Sequence, residues 1–210
     1  GDVVRLEADD DFPQRLREAR PDIVFNIAEG LRGPNRESHV PAICEFYGVP
    51  YSGSDPFTLS LCLHKARTKE PLACHGFPTA AFALIESLEQ LAELPARLAP
   101  EGRSGDAARL LSRGALRFPL FVKPVHEGSS KGITEKNFCR DRRELEAQVA
   151  FLLESYRQPV LVEEYLAGAE FTCAVLGNDP SATVLPIVGM NFGSLPAGAL
   201  PVYGFEAKWT

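Results

Sequence analysis

Two absences narrow the chemistry before any motif is read. No CxxC pair occurs among the five cysteines (Cys44, Cys62, Cys74, Cys139 and Cys173), and no Cys/His spacing suits a zinc site. Odd in number, widely spaced and mostly in apolar surroundings, they read as reduced core residues of a cytoplasmic protein. No signal-peptide pattern is written in the 210 residues, and no apolar run is long enough for a membrane span. Positive charge is also in deficit. The chain carries 22 Lys and Arg against 28 Asp and Glu, a net charge of −6. Neither a nucleic-acid groove nor a membrane-surface patch is expected from that balance. Lysine itself is scarce, 6 residues against 16 arginines. Lys65, Lys123 and Lys208 each follow an apolar segment, which sets them apart from ordinary surface charges.

Apolar side chains are plentiful. At 45% hydrophobic residues the chain can bury a core, and 210 residues allow one large domain or two small ones. The first part alternates strand and helix. Residues 3–6 read as a strand, and residues 9–11 offer an N-cap for a helix through Arg20 that Pro21 ends. Residues 22–26, DIVFN, read as a buried strand. A polar loop follows over residues 28–36, then a helix from Ser38 closed by Gly48, then a short strand over residues 49–51. Such alternation predicts an α/β N-terminal unit with a parallel sheet. Ligands in such sheets sit beyond the carboxyl ends of the strands, where the 28–36 loop and the 52–54 turn lie. Both fit substrate contacts, and both fit plain connections.

The middle of the chain reads as a helix capped by Ser54 or Asp55 and apolar on most sides, ended by His64 and Lys65. A second helix over 67–75, a strand over 79–85 and a leucine-periodic helix from Ser87 come next. Residues 99–114, rich in Arg and Gly, read as a mobile surface insertion. From Leu120 onward strands turn back on one another around one helix: 120–122, 133–138, an amphipathic helix capped by Asp141, then 160–163, 170–176, 184–192 and 202–209. This predicts an α+β region with antiparallel sheets.

Within it lies FVKPVHEGSSKG, residues 121–132. Lys123 ends a buried strand, and Glu127, Gly128, Ser129, Ser130, Lys131 and Gly132 follow. Two glycines, two hydroxyls and a lysine aim backbone N–H donors and a cation at one anion, most often a phosphate. A solvated hairpin tip is the plainer alternative. The lysine lies inside the glycine pair and no GKS or GKT follows, so this is not a P-loop of the Walker type.

Four pieces, in chain order, resemble an ATP-grasp ligase. They are Lys65 after its helix, Lys123 with its Gly/Ser loop, VEEYLAGAEF (residues 162–171) and FEAKW (residues 205–209). Residues 26–56 and 118–133 are similar to the D-alanine–D-alanine ligase family more closely. The likeness runs over nearly the whole chain apart from 99–114. It implies an N-terminal substrate domain over 1–60, linker helices and the insertion over 61–120, and part of an ATP-grasp nucleotide-binding domain over 121–210.

By resemblance, the reaction joins two small amino acids through an acyl phosphate at the expense of ATP. Lys65, Lys123 and Lys208 touch the ATP phosphates. Glu127, Gly128, Ser129 and Ser130 fold over them and exclude water, with both serines as the catalytic pair. The backbone of Glu163, Glu164, Tyr165 and Leu166 reads the adenine edge, and Glu170 accepts from the ribose. Magnesium is expected, but after Glu170 only Asp179 and Glu206 are acidic, so its ligands are expected beyond Thr210. The chain therefore reads as cut at both ends, and a homodimer is possible for the whole protein. His64 before Lys65, Trp209 after Lys208, and the loop NIAEGLRGPNR depart from the typical family pattern. They leave open a different amino acid or peptide substrate, or a nucleotide-binding module without catalysis.

Overall fold

The computed structural model describes residues 1–94, 116–178 and 180–193. Its centre is a four-stranded antiparallel sheet in the order β1-β4-β2-β3. The strands are β1 (Phe82–Ile85), β2 (Leu120–Pro124), β3 (Phe138–Cys139) and β4 (Val160–Glu164). Residues of alternating side in a strand face opposite ways, and here both sides are covered. Ala83, Ile85, Leu120, Val122, Val160 and Val162 point to one face, packed by Leu145, Val149 and Leu152. These three come from the helix α6 (Arg142–Tyr156), capped where Asp141 Oδ1 accepts from the Glu144 amide at 2.9 Å. On the other face, Leu161 packs with Val125 and with Ala66 of α4 (Lys65–Cys74), and Phe82 and Leu84 lie against them.

That alternation places the polar groups. Phe121 stands opposite Glu163, and Lys123 opposite Leu161. Lys123 and Glu163 are thus diagonal neighbours on the α4 side, close enough for long side chains to meet. The helix α4 starts directly at Lys65, two residues before the expected start, because His64 Nδ1 caps it by accepting from the Arg67 amide at 3.2 Å. One turn later Lys69 projects from the same side of the helix.

The first 60 residues are less regular than the sequence suggests. Helices α1 (Phe12–Ala19) and α2 (His39–Tyr47) form, and Arg20 and Gly48 end them in left-handed conformation. Between them the strand expectation reduces to one parallel bridge, Val24 to Tyr51. Residues 3–6 lie in no strand. DIVFN is not buried: Ile23 and Phe25 are exposed, as is Ile27 just after it, while Val24 packs with Phe12, Leu16, Val40 and Cys44. Only one side of that segment has apolar neighbours, so alternation wins over a two-sided core. The helix α3 (Pro56–Leu63) is capped by Asp55, one of the two expected caps, but among its residues only Leu63 is buried; α5 (Leu88–Glu93) is capped by Ser87.

Other expectations shift for local reasons. The predicted strand over 133–138 is a 3-10 turn at Glu135–Asn137 followed by β3, because the Thr134 and Asn137 side chains cap that turn reciprocally. The strand over 170–176 is two short pieces, β5 (Phe171–Thr172) and β6 (Val175–Leu176). They pair antiparallel with β8 (Val188–Gly189) and β7 (Thr183–Val184), respectively. Cys44 and Cys139 are core thiols, but Cys62, Cys74 and Cys173 are exposed and all five are free, which corrects the expectation of five core residues. The insertion over 99–114, Asp179 and the last strand with Lys208, Glu206 and Trp209 lie outside the described residues. No helix among the described residues is long and apolar enough to cross a membrane.

The core prediction follows from α6. Leu152 is fully buried against the sheet. Leu152→Ala should lower unfolding free energy by about 3 kcal/mol, the usual scale for a buried leucine that cannot be refilled. Denaturant titration should show a lower midpoint at unchanged slope.

Candidate functional site

A cleft of about 860 Å³ opens on the α4 side of the sheet. It is lined by Lys65, Lys69, Lys123 and Lys131, by Glu37, Glu127, Glu163 and Glu170, and by residues 128–130 and 164–166. Of the expected site residues, all but Lys208 are described, and all of those described border this one cleft.

Its floor is a buried carboxylate between two ammonium groups. Glu163 is 8% exposed. Its Oε2 meets Lys69 Nζ at 2.8 Å, and its Oε1 pairs with Lys123 Nζ. Burial works against the carboxylate charge, yet Lys123 and Lys69 together outweigh it and hold the carboxyl below its ordinary range. Lys69 also donates to Thr79 Oγ1 at 2.7 Å and the Ala80 carbonyl at 3.2 Å. Sequence reasoning passed over Lys69. Its signal was the four-residue spacing from Lys65 on one helix.

The flap begins where β2 ends. Asn137, fully buried, ties its two ends: Nδ2 donates to the Val122 carbonyl at 2.6 Å and the Gly132 carbonyl at 2.7 Å. Gly132 has φ of 77°, and a Cβ there would stand 2.7 Å from Pro124 Cγ, so glycine is required. Ser129 and Ser130 both take left-handed backbone, φ 48° and 60°. Two adjacent non-glycine residues in that region are strained, and such strain gathers at ligand clamps.

Contacts from the N-terminal loop meet the flap. Ser129 Oγ donates to Glu29, whose other oxygen meets Lys131 Nζ at 3.4 Å. The Ser129 hydrogen bond first, against burial and with Lys131 helping, lowers the Glu29 pKa. Glu37 Oε1 would lie 3.0 Å from a Cβ at Gly128, and burial raises its carboxyl pKa. The Glu127 carboxylate accepts from Arg36 and Gln158, while its carbonyl accepts from Lys65 Nζ. The rings of His64 and His126 meet edge-on at 4.6 Å, and burial lowers both pKa values. Glu29 and Arg36 escaped sequence reasoning except as members of the 28–36 loop, which fitted either substrate contact or plain connection, and Glu37, just after it, was not singled out.

At the other end, Tyr165 packs edge-on against Phe138 at 4.7 Å, while Leu166 and Glu170 are exposed. The amides of Glu164 and Tyr165 donate to the carbonyls of Ala81 and Pro119 at 3.0 and 3.1 Å. Among the described residues no three His, Cys, Asp or Glu side chains gather to hold a metal.

Lys65 is the titrating cation of the cleft. Burial, then the Lys123 ammonium, lowers its pKa from 10.5 to about 8. In the unfolded chain it keeps its proton to higher pH, so the unfolded state binds more protons between these values. Stability should therefore rise as pH climbs from about 8 to about 10. The stability difference between wild type and Lys65→Met, followed by denaturant titration, should grow in favour of wild type over that window. A difference that stays flat contradicts the buried, charge-crowded lysine.

Comparison with known proteins places these features in a family context. The family model described as "D-ala D-ala ligase C-terminus" matches residues 101–209. An uncharacterized protein of Sinorhizobium fredii is 35% identical over 187 residues, covering 89% of this chain and 47% of that protein. The D-alanine–D-alanine ligase of Bordetella petrii is 34% identical, over 80% of this chain and 44% of the relative. Among solved structures, the VanG D-Ala:D-Ser ligase from Enterococcus faecalis superposes with a TM-score of 0.60 at 29% identity, covering 79% of this chain and 42% of that one. The Bacillus anthracis D-alanine–D-alanine ligase complexed with ATP shares the fold, with a TM-score of 0.58 at 23% identity over 85% of this chain and 52% of that one. The chain spans about half the length of the curated relatives it matches.

Proposed function

Since the chain belongs to the D-alanine–D-alanine ligase family of the ATP-grasp superfamily, we propose that it supplies the phosphate-gripping part of an ATP-dependent carboxylate–amine ligase. The whole protein joins two small amino acids. The γ-phosphoryl group of ATP passes to the carboxylate of the first, and the amine of the second then displaces phosphate from the acyl phosphate. The observation that carries this reading is the meeting of Lys69 and Lys123 around one buried carboxylate, in a cleft that Lys65 and a strained serine loop also line.

The cleft suits a nucleoside triphosphate. Lys65 and Lys123 are cations that stay in place as charge develops on the transferred group. Ser129 and Ser130 close over the phosphates and keep water from the acyl phosphate. Lys208 joins them from outside the described residues. Tyr165 and Leu166 wall the purine. The Glu164 and Tyr165 amides are engaged within the protein, so the adenine edge is read by the carbonyls of this turn and the Leu166 amide. Glu170 takes the ribose hydroxyls. Magnesium, which screens the phosphates in such transfers, finds its ligands outside the described residues. The Val24–Tyr51 bridge belongs to a larger parallel sheet in the whole protein, with the 28–36 loop at the first amino acid. A cytoplasmic place agrees with five free thiols.

Two measurements test the reading on the intact protein. ADP release should require both amino acids, and a panel of D- and L-amino acids identifies the pair. Release that no amino acid stimulates contradicts ligation and favours a binding module without catalysis. Lys123→Ala should weaken ATP binding by about tenfold or more, the scale of a lost charge-assisted hydrogen bond. It should also lower the melting temperature, because Glu163 then keeps one ammonium partner in a buried place. Unchanged ATP affinity by calorimetry removes the flap from the site.

A further inference from the structure

Arg36 carries a permanent charge yet is only 9% exposed. Its backbone is fixed by a close approach: a Cβ at Gly30, where φ is 72°, would stand 2.1 Å from the Arg36 carbonyl oxygen. Glycine alone allows the loop to fold that tightly and present Arg36 to the flap. There Nη1 donates to the His126 carbonyl at 2.9 Å and Nη2 to Glu127 Oε2 at 3.3 Å. The same two residues are held by Gln158, which accepts from the His126 amide at 2.7 Å and donates to Glu127 Oε1 at 2.8 Å. The remaining handle, the Glu127 carbonyl, holds the Lys65 ammonium.

We propose that Arg36 is a positioning residue for the nucleotide: by fixing the peptide at 126–127 it aims the Glu127 carbonyl at Lys65 and keeps the flap over the cleft. It couples the N-terminal unit to phosphate binding across a contact 91 residues apart in sequence. This rests on reading the cleft as the ATP site. The chemistry favours arginine, since one rigid planar fork reaches a carbonyl and a carboxylate from two separate nitrogens. Removing it frees the Glu127 carboxylate to swing toward Lys65 and compete with the phosphates.

The test is a double-mutant cycle on the intact protein with Arg36→Ala, Glu127→Gln and their combination, together with Arg36→Lys. Dissociation constants for a slowly hydrolysed ATP analogue are measured alongside KM for ATP, kcat and melting temperature. Arg36→Ala should raise Kd and KM for ATP about tenfold with a smaller change in kcat. Arg36→Lys should recover part of the loss. The double variant should be no worse than Arg36→Ala, because both changes remove one interaction. Constants within about twofold of wild type beside a lowered melting temperature mean a structural role only, and overturn the proposal. Additive losses overturn it as well. If Arg36→Ala does not fold, Arg36→Lys and Glu127→Gln decide by the same criterion. Wild type that fails to bind the analogue overturns the ATP reading of the cleft and this proposal with it; wild type that binds while the Arg36 variants bind equally overturns this proposal alone.

Discussion

A single buried carboxylate organises the cleft. Glu163 lies on the face of the sheet where an apolar residue would be cheaper, and its charge is tolerated because Lys123 and Lys69 meet it from two elements. Each partner arrives by a different rule. Lys123 comes by strand register, two places along from the residue opposite Glu163. Lys69 comes by helical spacing on α4, which packs over the same face. The clamp therefore requires the antiparallel pairing of β2 with β4 and the seating of α4 to be correct together. It sets two ammonium groups in a protein of net charge −6 at the floor of one cleft. On the proposed reading, a polyanion entering there draws an ammonium of Lys123 or Lys69 from Glu163 onto its own oxygens, without asking the protein to bring new cations in.

The flap shows the same economy. Asn137 joins its ends, Gln158 and Arg36 hold its first residues, and Glu29 takes the Ser129 hydroxyl. These groups come from a 3-10 turn, the end of α6 and the N-terminal loop. The strained backbone at Ser129 and Ser130 is maintained because its surroundings leave it little freedom. Both ends of the flap are thus fixed while its tip faces the cleft, an arrangement suited to closing over a ligand and excluding water.

What was legible in the sequence divides along physical lines. The caps at Asp55 and Asp141, the amphipathic helix α6 and the strand that carries Lys123 are local features, and each forms where short-range chemistry puts it, although that strand runs one residue further, to Pro124. The polar Gly/Ser loop after Lys123 was legible as a loop for the same reason, and it lines the cleft. Lys69, Glu29 and Arg36 were not, because their roles depend on contacts across tens of residues, and each alone looks like a surface charge. DIVFN misled because a short apolar run of high strand propensity says nothing about what covers its second face; Ile23 and Phe25 are exposed here. The segment 133–138 misled because reciprocal capping by Thr134 and Asn137 outweighs its propensity for strand. The family likeness read from residues 118–133 agrees with the family found over 101–209, while the pairing of Glu163 with two lysines needed coordinates.

The most direct measurement is a crystal structure of the intact protein with a slowly hydrolysed ATP analogue. The account predicts phosphates within hydrogen-bond reach of Lys65 and Lys123 beneath Ser129 and Ser130, and the purine beside Tyr165 and Leu166. A triphosphate seated elsewhere on the protein, with Lys123 still locked to Glu163 and the flap apart from the ligand, would contradict it.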